Sequence, residues 1–256
     1  MAEPKKLILF DLVSTITDAG PRYAEAYAKM AEAYHLPVPE KGDILEELGQ
    51  RNLKDIIRIH SPDLPPEKIP GFMNDCNRAC DAMLYDVHWI EALFKNVREA
   101  LAELNQKGFT LGLYTGTRED AMEAQLRYHN IAQYFDRDLL RGKDNIRDAE
   151  KDTQGLKIEQ MASIIAAFAK KTGQNAEAVR KNTVVVGDTL SDYEAAKTNG
   201  LRFAGFAETE DKMQKFTASG IRAAFRDYKT APGFLNSLFG PDASPALKTA
   251  QPGPGQ

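Results

Sequence analysis

The chain has 256 residues, 43% of them hydrophobic, enough apolar material for one large domain or for a core carrying a modest inserted domain. Its formal net charge of -4, with both signs interspersed, lacks the one-signed face of a nucleic-acid binder, so nucleic acid is not an expected partner. The apolar run from Leu7 to Phe10 is too short to span a bilayer and the residues before it show no signal-peptide pattern; no membrane partner and a cytoplasmic location are expected.

The first predicted element is a buried strand, Leu7 to Phe10, that runs straight into Asp11. From about Ala19 to Glu91 the pattern is almost wholly helical, broken by proline-containing loops such as Ser61 to Pro66. That interval is too long for a strand-to-strand crossover and predicts an inserted helical domain, with Ile44, Leu48, Ile56, Ile57 and Ile59 as interior positions. Within it Cys76 and Cys80, four apart on one helical face, are expected to be reduced thiols. His35, His60, His88 and His129 show no ligand spacing, and zinc is not expected.

A second strand, Phe109 to Tyr114, follows the helix stop Lys107-Gly108 and ends at Thr115. A helix from Ile158 to Lys171 closes at Thr172-Gly173, and a third strand, Thr183 to Val186, ends at Gly187-Asp188. The helix Asp192 to Thr198 stops at Asn199-Gly200 and leads into a fourth strand, Arg202 to Phe206. The stretch from Pro241 to Gln256, rich in Pro, Gly, Ala and Ser, lacks the apolar density that ordering requires and is expected to be a disordered tail.

Strands alternating with helices predict an α/β fold, a three-layer Rossmann-like parallel sheet with right-handed crossovers. The expected division is a core of residues 1–18 and 92–240, an all-helical cap of residues 19–91, and the tail 241–256.

In open α/β sheets ligands sit outside the carboxyl ends of the strands, and Asp11, Thr115 and Asp188 all occupy such ends. Taken singly, each aspartate reads equally well as a helix N-cap. Their order is more specific. The run Leu7 to Asp18, with Asp11-Leu12-Val13-Ser14-Thr15, resembles the first motif of the haloacid dehalogenase superfamily, an apolar strand followed by Asp-x-Asp-x-Thr. Thr115-Gly116-Thr117-Arg118 resembles its second motif and Gly187-Asp188-Thr189-Leu190-Ser191-Asp192 its fourth. For the third, a lysine opening a helix, Lys157 fits best, with Lys143 and Lys151 as rivals. The resemblance spans nearly the whole chain, helical insert included.

The resemblance implies a magnesium-dependent hydrolase of a small phosphorylated or phosphonate molecule, in which Asp11 attacks phosphorus as the nucleophile. Mg2+ would be held by Asp11, the backbone carbonyl of Val13 and Asp188, with Asp192 as a further ligand or an orienting carboxylate; Asp192 reads equally well as a helix-dipole residue. Thr115, Gly116, Leu12 and Lys157 would hold the transferred group, and Arg51 and Asn52 of the cap are candidate substrate contacts. Oligomeric state, monomer or homodimer, is not legible.

Position 13 departs from the pattern. Family phosphatases carry there a second aspartate that protonates the leaving oxygen, and Val13 retains only the carbonyl. Loss of a positioned acid and base costs about 100- to 10,000-fold, so weak turnover of ordinary monoesters is expected. The family's 2-haloacid dehalogenases and phosphonoacetaldehyde hydrolases also lack this aspartate. The alternative from another class is a non-catalytic descendant that binds a phosphorylated ligand or a partner protein.

Overall fold

The computed structural model describes residues 4–48, 53–84, 90–143 and 153–240. The chain opens with strand β1 (Leu7–Asp11), a short strand β2 (Thr17–Asp18) and four consecutive helices, α1 (Gly20–Ala33), α2 (Lys41–Leu48), α3 (Leu53–His60) and α4 (Ile69–Leu84). It returns through β3 (Ala92–Leu93) and continues with α5 (Val97–Gln106), β4 (Thr110–Arg118), α6 (Glu119–Tyr128), β5 (Leu140–Lys143) and α7 (Thr153–Thr172). Next come α8 (Ala176–Lys181), β6 (Thr183–Gly187), α9 (Leu190–Thr198), β7 (Arg202–Phe206), α10 (Glu210–Ala218), β8 (Ala224–Phe225) and α11 (Ala231–Ser237).

Six strands form one parallel sheet in the order β5-β4-β1-β6-β7-β8. The chain builds outward from β1 through β4 and β5, then crosses back to β6 on the other side of β1. This reversal opens a crevice at the carboxyl ends of the central strands. Every residue of β1 is buried because both faces are covered, which is why its sequence is continuously apolar instead of alternating. Ile8 and Phe10 pack into one layer with α5, α6 and α11, while Leu7 and Leu9 pack into the other with α7, α8 and α9.

The helical interval has its own interior, in which Tyr27, Ile44, Ile56, Ile57, Phe72 and Cys76 are buried together. Ile59 differs from expectation: it is 46% exposed, because Ile56 and Ile57 occupy the inward face of α3. Cys76 and Cys80 are buried free thiols, each pushed up to about 12 by burial, and so lack thiolate reactivity. The insert is stitched to the core where β2 and β3 pair antiparallel, Thr17 opposite Leu93 and Asp18 opposite Ala92.

Two boundaries differ from the sequence expectation. β4 continues past Thr115 to Arg118, with a shift of register after Tyr114, since β5 pairs Lys143 with Arg118. α7 starts at Thr153, so Lys157 lies within its early turns instead of preceding it. Arg51, Asn52, Lys151, His88 and the tail 241–256 lie outside the described residues. Among the described residues no helix is long and apolar enough to cross a membrane.

Candidate active site

Three neighbouring strands each deliver a buried polar group to the crevice: Asp11 from β1, Thr115 from the irregular stretch of β4, and Asp188 just beyond β6. After Asp11 the backbone folds tightly on itself. The Leu12 carbonyl accepts the amides of Ile16 and Thr17 at 2.8 and 3.0 Å, which requires Ser14 to adopt a left-handed φ of 59°. The turn leaves Val13 half-buried on the cavity wall and carries the Thr15 hydroxyl to Asp188 Oδ1, at 3.2 Å. Tyr228 fixes the same turn by donating to the Thr15 carbonyl at 2.7 Å.

Lys157 enters from α7 with its ammonium almost fully buried, 2.7 Å from Asp192 Oδ1 and 3.6 Å from Asp11 Oδ2. Asp192 is wholly buried and fully engaged. Oδ1 also accepts the Tyr114 hydroxyl at 2.9 Å, and Oδ2 accepts the Thr189 amide at 3.1 Å and hydroxyl at 2.5 Å. Thr189 in turn accepts the Asp192 amide, completing a capping box that starts α9. Gly187 is required here, since a Cβ at that position would lie 2.5 Å from the Cβ of Asp192.

Carboxylate oxygens of Asp11, Asp188 and Asp192 all lie within 4.8 Å of one another. Burial pushes the Asp11 carboxyl well above the usual carboxylate range; Lys157 opposes this, and the neighbouring Asp192 and Asp188 reinforce it. Burial likewise pushes Asp188 up to about 6, against the pull of Lys212. For Lys157, burial alone would lower the ammonium, but Asp11 and Asp192 outweigh it and hold the group above its ordinary value. Such a concentration of like charges in a crevice is the electrostatic mark of a functional site.

A cavity of about 330 Å³ opens over these groups. Asp11, Val13, Thr115, Gly116, Lys157 and Asp188 line it from the core, and Arg22, Tyr23 and Asp81 from the insert. The structure therefore gathers most of the sequence-predicted residues around one space. Leu12 is buried beneath it, while Asp192 backs Lys157 without lining the cavity. Lys143 sits half-buried on the wall at the end of β5, and among the described lysines Lys157 is the one paired with Asp11. The Thr115 hydroxyl accepts the Thr117 amide at 3.2 Å.

Several residues of the site escaped sequence reasoning. Lys212 of α10 binds Asp188 Oδ2 at 2.9 Å and Glu208 at 2.7 Å. Gln160, one turn beyond Lys157, donates to the carbonyls of Thr115 and Gly142 at 2.9 and 3.1 Å and so holds β4 and β5 at the cavity edge. Arg22 is 2% exposed and pairs through Nε with Glu91 at 2.7 Å, while the Thr17 hydroxyl takes the other Glu91 oxygen at 2.6 Å. The Thr-x-x-Asp spacing of Thr189 and Asp192 is a readable capping signal. Lone cations such as Arg22 and Lys212 give none.

A doubly wound parallel sheet with a helical insert after its first strand and a carboxylate-rich pocket at the strand ends is the architecture of a Rossmann-like core of the dehalogenase type. The sequence profile described as haloacid dehalogenase-like hydrolase matches residues 5–200, and the chain belongs to that family. A phosphoglycolate phosphatase of Vibrio vulnificus is 34% identical over 222 residues, covering 84% of this chain and 89% of that protein. One of Vibrio cholerae is 29% identical, covering 76% and 81%. A haloacid dehalogenase-like hydrolase structure from Streptococcus pneumoniae superposes with a TM-score of 0.58 at 14% identity, covering 91% of this chain and 99% of that one, a likeness of fold.

Proposed function

We propose that this hydrolase acts on a small phosphorylated molecule, with Asp11 as nucleophile and Mg2+ as cofactor. The observation that carries the proposal is the buried Lys157 ammonium between Asp11 and Asp192, with the Asp188 carboxylate beside them. A pocket in which anions converge on one ammonium suits a substrate whose own charge must be neutralised as it reacts. The phosphoglycolate phosphatases among the relatives support a small phosphorylated acid as substrate.

The donor set fits a hard divalent cation, since Asp11, Asp188 and the Val13 carbonyl offer oxygens alone. Bound there, Mg2+ supplies positive charge that offsets the repulsion between Asp11 and the incoming phosphoryl group. Asp11 attacks phosphorus and forms an acyl phosphate, which water then hydrolyses. Lys157, the Thr115 hydroxyl and the Gly116 and Leu12 amides hold the non-bridging oxygens. Asp192 acts as a positioning residue that aims Lys157. Residues 19–91 serve as a cap hinged at the ribbon of β2 and β3, with Arg51 and Asn52 reaching the substrate, and the protein works in the cytoplasm.

A second reading, a ligand-binding descendant without turnover, is favoured by one feature, the absence of a carboxyl at Val13. Mass spectrometry after incubation with acetyl phosphate and MgCl2 separates the two. The expected result is a phosphorylated Asp11 in wild type, absent from Asp11→Asn and absent in EDTA. Turnover that survives Asp11→Asn would sink the nucleophile assignment, and ligand-dependent thermal stabilisation with no turnover of any phosphate would establish the binding protein.

A further inference from the structure

With valine at position 13, the loop beside Asp11 has no carboxyl to hand a proton to a departing oxygen. Among the described residues three carboxylates border the cavity: Asp11, Asp188 and Asp81. Asp11 faces Lys157, and Asp188 is taken by Lys212 and Thr15. Asp81 is different. It is exposed to solvent in the cavity mouth, and among the described residues no ion pair or hydrogen bond engages its carboxylate. It comes from α4 of the insert, whereas Asp11 comes from a strand end of the core, and both line the cavity. In an in-line displacement the attacking and leaving oxygens lie on opposite sides of phosphorus, so an acid for the leaving group belongs on the wall facing the nucleophile.

The position of Asp81 is also held relative to the core. Arg22 donates through Nη1 to the carbonyl of Cys80, the preceding residue, at 3.1 Å, while its Nε binds Glu91 beside the returning hinge strand. The turn of α4 that bears Asp81 is thereby pinned to the joint between insert and core through an ion pair shielded from water. Tyr23 lies on the same wall, close enough for the Asp81 charge to act on its phenol.

We infer that Asp81 is the general acid and base of this site, a catalytic carboxyl supplied by the cap in place of the one missing at position 13. The inference rests on the proposed nucleophilic role of Asp11. In the first step an Asp11 oxygen bonds to phosphorus, the bond from phosphorus to the leaving oxygen breaks, and that oxygen takes its electron pair and the Asp81 proton to depart as an alcohol. In the second, the Asp81 carboxylate removes a proton from water as the water oxygen bonds to phosphorus. The bond to Asp11 then breaks with its electron pair returning to the carboxylate, which releases inorganic phosphate and leaves Asp81 protonated.

The test compares Asp81→Asn with wild type on acetyl phosphate, whose leaving carboxylate needs no proton, and on 2-phosphoglycolate, whose leaving alkoxide does. In single turnover, Asp81→Asn is expected to slow phosphorylation of Asp11 about 100- to 10,000-fold with the alkyl phosphate and at least about tenfold less than that with acetyl phosphate. In a Val13→Asp background, where the loop carries its own acid, the same substitution is expected to cost under about tenfold on the alkyl phosphate. Equal losses on both substrates, no loss on 2-phosphoglycolate, or a wild type that cleaves acetyl phosphate alone would each overturn the inference. Asp11→Asn run alongside separates the two ideas. Turnover lost there but untouched by Asp81→Asn refutes the acid alone, whereas turnover that survives Asp11→Asn refutes the nucleophile and the acid with it.

Discussion

Replacing Asp188 with asparagine should stabilise the metal-free protein, and the gain should grow with pH. The Asp188 carboxyl, ordinarily titrating at 3.8, is pushed up to about 6 by burial, against the pull of Lys212 and with a smaller push from Asp192. A carboxyl raised in the folded state favours the protonated form, so its contribution to stability is complete below the ordinary value and is lost as pH rises through about 6. At about 1.36 kcal/mol for each pH unit between the two values, the folded protein carries a cost of about 3 kcal/mol once the group is ionised. Asparagine carries no such cost. In EDTA, Asp188→Asn should therefore exceed wild type by about 3 kcal/mol near pH 7.5 and by only about 1 kcal/mol near pH 4.5. For a chain of this size that corresponds to about 2–4 °C in Tm for each kcal/mol, readable by calorimetry and urea titration across the pH series. Saturating MgCl2 should reverse the order, because wild type gains by ligand linkage and the variant does not. Equal stability near pH 7.5, or an advantage that does not change with pH, would refute the view that burial raises the Asp188 carboxyl.

Arg22→Met should destabilise by about 3–5 kcal/mol in urea titration, since it strands the buried Glu91 carboxylate, and adding Glu91→Gln should recover part of that loss. Thr189→Ala removes the capping hydroxyl of α9 and one of the hydrogen bonds on Asp192, and should lower stability by about 1 kcal/mol in the same assay. Gly187→Ala forces Asp192 away from its present position and with it Lys157; kcat/KM on acetyl phosphate should fall by about 100-fold while circular dichroism shows the fold retained.

The legible parts of this molecule are those written locally. β1, β4 and β6 announce themselves as apolar runs that end at a polar residue, because each is covered on both faces and exposes its carboxyl end to the crevice, while β7 is marked by the helix stop Asn199-Gly200 before it. β2, β3 and β8 are two residues long and exist only through pairing with distant chain, so no local pattern encodes them. β5 carries Arg141 and Lys143 in a four-residue strand, and its pairing is also what draws β4 on to Arg118. The site divides in the same way. Asp11 and Asp188 sit at strand ends, Thr115 at the register shift of β4, and Lys157 on a helix whose stop signal at Thr172-Gly173 is plain, so their meeting follows from topology. Lys212, Arg22 and Asp81 are single charges on helices, and what makes them part of the site is how those helices dock. Ile59 fails for the same reason in reverse: helical spacing identifies a face, but packing chooses how much of it is covered.

Asp192 joins the two kinds of information. Its sequence position suits both a metal-directed carboxylate and a helix-opening one, and the two uses draw on one set of oxygens. Thr189 and the first turn of α9 take Oδ2; Lys157 and Tyr114 take Oδ1. Lys157 thus spends its shortest contact, 2.7 Å, on a carboxylate that does not line the cavity and stands 3.6 Å from the one that does. That asymmetry leaves Asp11 beside a fixed positive charge without binding its oxygens tightly, the condition a carboxylate needs if it is to attack an anionic phosphoryl group instead of remaining a structural salt bridge. The helix cap and the proposed nucleophile are therefore supported by the same buried carboxylate.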